Sequence, residues 1–141
     1  MIKKVAYQSD EYIQLLDLRN RILRIPLGMD IQDDPLHEEV NDLHFGYFEG
    51  DQIIGTLILR DIGNQTFKMR QVAVSDHAQG KGIGQKMVHF SEKYAQEKNF
   101  KQIELNARDV AIPFYEKLGY QKIGNPFEEV SIIHYKMIKT L

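Results

Sequence analysis

Residues 2–7 read as a short strand, after which Ser9 opens a helical period with Tyr12, Leu15, Leu16, Ile22 and Leu23 on one side. That helix closes on Arg19, Arg21 and Arg24. The pattern breaks over residues 25–42 around Pro26, Gly28 and Pro35, a stretch longer than an ordinary connection. An alternating stretch over residues 43–48, a turn at residues 49–52 and a second, nearly apolar strand over residues 53–60 predict a hairpin. A turn at residues 63–65 then feeds a third strand over residues 67–74 and completes an antiparallel meander. Beyond it a glycine-rich turn at residues 80–84 enters a helix with Ile83, Met87, Val88, Tyr94 and Ala95 on one face. Residues 103–105 read as a strand and residues 109–118 as a short helix stopped by Gly119. Two last strands are expected near residues 120–123 and 132–138. No segment repeats, and the order β α β β β α β α β β predicts one mixed α/β (α+β) domain over residues 1–141, with helices packed on a sheet.

Composition narrows the chemistry. With no cysteine, disulfides, thiolate metal sites and a cysteine nucleophile are excluded together. A net charge of -2 offers no uniform positive field, so no nucleic acid partner is expected. The longest nearly apolar run, residues 53–59, falls far short of the roughly 20 residues of a bilayer span, and the first seven residues form no signal-peptide core. A soluble cytoplasmic protein with no membrane partner is the expectation. Residues 25–42 hold Asp30, Asp33, Asp34, Glu38, Glu39 and Asp42 with no Lys or Arg, so the mild total conceals an acidic segment against a basic remainder.

Gln79-Gly80-Lys81-Gly82-Ile83-Gly84 lies between a predicted strand and a predicted helix, where unpaired N–H groups and the helix dipole favour an anion. It is not a Walker loop, because Lys81 is followed by Gly82 rather than Ser or Thr, and Ser75 stands where that loop needs glycine. It is not a Rossmann fingerprint either, because Gln85 occupies the third glycine position. Gln79, Gly82 and Gly84 do match the Gln/Arg-x-x-Gly-x-Gly/Ala signature of the GCN5-related N-acetyltransferase (GNAT) superfamily, which the sequence resembles. Downstream, residues 111–120 resemble the superfamily's Ala-x-x-Phe-Tyr-x-Lys-x-Gly-Phe/Tyr motif. His134-Tyr135-Lys136-Met137 is similar to the His-x-x-Met tail of its ElaA-like and glyphosate N-acetyltransferase-like branch.

The resemblance implies a mostly antiparallel sheet of six to seven strands flanked by helices, and acetyl-CoA as acetyl donor. The pyrophosphate would lie on backbone amides of Gln79, Gly80, Lys81, Gly82, Ile83 and Gly84, with Gln85 beside them. The pantetheine would lie between splayed strands carrying Val72, Ala73 and Val74 on one side and Asn106 on the other. A free alkyl amine, with a pKa of about 10.4, must lose a proton before it attacks, and a departing thiolate benefits from an O–H donor. The resemblance gives Tyr115 the acid role and His134 the base role. It also places Arg24, Arg70 and Arg108 as anchors, and guanidinium groups bind carboxylate or phosphate in a bidentate manner. Seven residues before Tyr115, where much of the superfamily has Asn, this chain has Arg108. Together these features imply acetyl transfer to a small, acidic amine metabolite, without a metal, and are compatible with a homodimer. A peptide N-terminus as acceptor, and a non-catalytic acyl-CoA-binding regulator, are the alternative readings.

Overall fold

A computed structural model describes the whole chain, residues 1–141. Seven strands form one sheet in the order β1-β2-β3-β4-β5-β7-β6. They are β1 (Ile2–Val5), β2 (Leu43–Glu49), β3 (Gln52–Asp61), β4 (Thr66–Val74), β5 (Gln102–Arg108), β6 (Gln121–Glu129) and β7 (Ile132–Thr140). All neighbours are antiparallel except β4 and β5, which run parallel. Helix α1 (Asp10–Arg19) and the acidic segment cover one face; α2 (Ile83–Glu97) and α3 (Ile112–Lys117) cover the other. Each face therefore has its own core. The larger joins Leu57, Phe67, Met69 and Leu105 to Met87, Val88 and Tyr115, while the smaller joins Leu15, Leu18 and Ile31 to Phe48. At about 1.5–3 kcal/mol per buried aliphatic side chain, these clusters hold the helices against the sheet.

Local chemistry sets the boundaries. The Ser9 hydroxyl accepts the Tyr12 N–H at 3.2 Å, and Asp10 and Glu11 face the positive end of α1. Past Arg19 the helix widens into a π-helical turn, Asn20–Arg24, which swings Leu23 and Arg24 toward the sheet's centre. The acidic segment contains three short 3-10 turns rather than open loop. The helix expected over residues 109–118 is divided into a 3-10 turn, Asp109–Ala111, and α3. The strand expected at residues 120–123 runs on to Glu129, because Gly124 and Pro126 sit in a bulge at the sheet edge, where lost pairing costs least.

One irregularity shapes the centre of the molecule. Thr56 pairs with Ala73 and Ile58 with Arg70, so Gln71 and Val72 together oppose Leu57 in a bulge with Gln71 at φ 55°. The bulge bends β4 outward, and its pairing with β5 ends at Met69–Leu105. From there the two strands diverge, and the remaining backbone of β4 is unpaired on that side.

Candidate active site

The turn before α2 leaves a row of main-chain N–H groups without protein acceptors. Gly80 and Gly82 sit at φ 78° and 77°, a region open to glycine and strained for other residues. No side chain caps α2, and the N–H groups from Gly80 through Gln85 donate to no main-chain acceptor. The Gln79 side chain steadies the loop by donating to the Val74 carbonyl at 3.0 Å. Lys81 and Gln85 are exposed, whereas Ile83 is buried in the core and offers only its amide. A methyl group at Gly82 would meet nothing within 4 Å, so its cost is backbone strain of about 1–2 kcal/mol rather than a clash. Gly82→Ala is therefore expected to keep the fold yet weaken coenzyme A about tenfold in calorimetry, as the amides turn away; unchanged affinity would remove this turn from the binding site.

At the fork between β4 and β5 lies a cavity of about 190 Å³. Its walls include Val72, Asn106, Tyr115, His134 and all three predicted anchors, Arg24, Arg70 and Arg108. Val72 and Val74 are half-buried and Ala73 is buried, so the free main chain of β4 is what the fork presents. Such an edge can accept an extended amide-bearing arm much as it would accept a strand. Val72 and Asn106, expected to flank acetyl-CoA, thus line the same cavity as Tyr115 and His134, expected to act on it.

Tyr115 projects from α3, with its ring edge-on to Phe114 at 5.0 Å and Tyr120 at 5.7 Å. Burial pushes its phenol up to about 12, so at neutral pH it holds its proton. His134 lies on β7, stacked on Phe127 at 5.9 Å. Its Nδ1 is 2.8 Å from the Ile132 carbonyl. A carbonyl only accepts, so Nδ1 carries the hydrogen and Nε2 of the neutral ring is left as the acceptor.

The arginines differ in their freedom. Arg24 is clamped by Asp34, with Nε and Nη2 each at 2.9 Å from its carboxylate, and Nη1 donates to the Leu23 carbonyl. Arg70 keeps a buried Nη1 without a hydrogen bond, 3.8 Å from Asp42, whose carboxylate is engaged by Arg60. Burial, and then the neighbouring Arg60, lower the pKa of Arg70; burial, and then Arg24, lower that of Arg108. Neither guanidinium makes a hydrogen bond within the chain, and Arg70 has only the 3.8 Å approach to Asp42. The amide oxygens of Gln71 and Asn106 are likewise buried without partners. Gln71 was not visible as a site residue, because a non-glycine bulge inside a strand leaves no mark on hydrophobic alternation.

The other histidines lie elsewhere. His37, His77 and His89 are exposed, and His44 is buried against the Glu39 carbonyl at 3.1 Å.

Comparison with known proteins identifies the fold and the family. The YyaT protein of Bacillus subtilis (strain 168) is 30% identical over 108 residues, covering 77% of this chain and 71% of its own. The crystal structure of Escherichia coli ElaA superposes with a TM-score of 0.84 at 18% identity, covering 99% of this chain and 98% of its own. An aminoglycoside 6'-N-acetyltransferase complexed with coenzyme A gives a TM-score of 0.83 at 17% identity, covering 99% of this chain and 96% of its own. No helix is long and apolar enough to cross a membrane. A family model described as an acetyltransferase (GNAT) domain matches residues 28–141, and the chain belongs to that family of N-acetyltransferases, whose acetyl donor is acetyl-CoA.

Proposed function

We propose that this protein transfers acetyl from acetyl-CoA directly to the amine of a small, anionic metabolite. The observation that carries this reading is one cavity shared by a protonated phenol, an imidazole with Nε2 free and two guanidinium groups that make no hydrogen bond within the chain. When bound, acetyl-CoA supplies an activated thioester carbonyl. The His134 Nε2 takes a proton from the acceptor nitrogen, and the Tyr115 hydroxyl gives one to the departing sulfur. Arg70 and Arg108 hold the acceptor's carboxylate, phosphonate or phosphate, while Arg24 borders the same space with its guanidinium held by Asp34. The chain has no cysteine to carry an acyl group, in keeping with a single displacement.

The test is thiol release from acetyl-CoA across amines that do and do not bear an anion. Preference for the anionic amines supports the reading; equal use of both, or none of either, rejects it. In the same assay His134→Gln is expected to lower kcat about 10²-fold. A base works only while unprotonated, so the acidic limb of the wild-type rate profile should vanish in the variant. Retention of the limb would assign the proton to another group.

A further inference from the structure

The cavity contains one carboxylate whose role is unexplained. Glu129, the last residue of β6, lines it together with Arg70, Arg108 and His134. It is exposed, and no cation lies close enough to form an ion pair with it. Strand register fixes its position: Phe127 pairs with His134, Glu129 with Ile132, and His134 with Arg108. Side chains alternate along a strand, so Glu129, His134 and Arg108 share one face, with Glu129 diagonal to the base. Through space it raises the pKa of Arg108 against the effect of burial, consistent with that proximity.

An amine arriving at neutral pH carries a positive charge, and a pocket lined only by guanidinium groups would repel it. Building on the anionic-acceptor reading, we infer that Glu129 recognises the acceptor's ammonium group, so that the acceptor is a zwitterion with its anion toward Arg70 and Arg108 and its amine between Glu129 and His134. The ammonium N–H then breaks toward the His134 Nε2, and its electron pair remains on nitrogen for attack. Glu129 thereby sets specificity without taking the proton.

Matched ligands isolate this role: 2-aminoethylphosphonate against ethylphosphonate, and aspartate against succinate, each pair differing in the ammonium alone. Calorimetry on the protein saturated with coenzyme A should give the amine-bearing member an advantage of at least about fivefold. Glu129→Gln, a surface change that spares both cores, should reduce that advantage to about onefold and leave ethylphosphonate and succinate binding unchanged. Glu129→Lys should reverse it. In turnover, Glu129→Gln should raise the acceptor KM at least about fivefold with kcat within about twofold. An advantage that survives Glu129→Gln, or a lowered kcat at constant KM, overturns the inference while leaving the anionic-acceptor reading intact. If the wild type binds no anion of either pair and releases no thiol with any amine, the anionic-acceptor reading falls and takes this one with it.

Discussion

Tyr115→Phe is expected to lower kcat by about 10²–10³-fold while the affinity for acetyl-CoA and the melting temperature barely move. The phenol makes no hydrogen bond within the protein, so its removal strands no buried partner, and the ring contacts with Phe114 and Tyr120 survive. The chemistry loses more. With burial pushing the phenol up to about 12, the proton is present at every working pH, yet it can pass to a thiolate whose unperturbed pKa is about 8.5 only as the carbon–sulfur bond breaks. On the proposed reading, the sulfur must leave as a bare anion once that donor is gone. Thiol release read beside calorimetry and melting distinguishes the outcomes. An unchanged kcat would free Tyr115 from the acid role, and a parallel fall in kcat and melting temperature would make it a packing residue.

The features legible in the sequence were those encoded over a few consecutive residues. The element order followed from alternation and helical period, and the glycine turn, the Tyr115 helix and the His134 strand each carried a short motif whose spacing survives in the fold. What stayed hidden depends on distant segments meeting. The bulge at Gln71 opens the fork, yet its positive φ arises from how β3 and β4 pair rather than from any turn-forming residue. The π-helical turn at Asn20–Arg24 is held by a similarly remote contact, since the Asn20 side chain accepts the Ile31 N–H at 2.9 Å. Arg24 looked like an acceptor anchor in isolation, and only the folded chain reveals that Asp34, ten residues on, occupies two of its nitrogens. Charge counting shows that a segment is acidic; it does not show which cations those acids meet.

That last point governs the stability of the acceptor side. Glu39→Gln is expected to cost about 3–5 kcal/mol, a fall of roughly 8–15 °C in melting temperature for a domain of this size. Glu39 and Arg19 are 3% and 1% exposed, joined by two hydrogen bonds of 2.8 and 2.7 Å, and the Tyr12 hydroxyl donates to the same carboxylate at 2.8 Å. Glutamine keeps the shape and leaves the Arg19 charge buried without its counter-ion, which is the costly case; Arg19→Met with Glu39→Gln removes both charges and should recover much of the loss. The pH dependence has a definite sign. Burial alone would raise the Glu39 carboxyl, but hydrogen bonding and charge from Arg19, aided by Tyr12, hold it below its ordinary 4.5. Its contribution is therefore complete above that value and disappears as pH falls through the lower folded value. Burial also lowers His44 from 6.5, so the unfolded chain takes up that proton first and stability begins to erode below 6.5 as well. Melting curves from pH 7 to pH 3 should show both stages in the wild type and only the His44 stage in Glu39→Gln. The same ion pair fastens the acidic segment to α1, and Asp34 and Asp42 of that segment contact Arg24 and Arg70 at the cavity. Loosening it should raise the acceptor KM before it touches coenzyme A binding. A Glu39→Gln protein that melts with the wild type would mean that the segment is held by its apolar contacts alone.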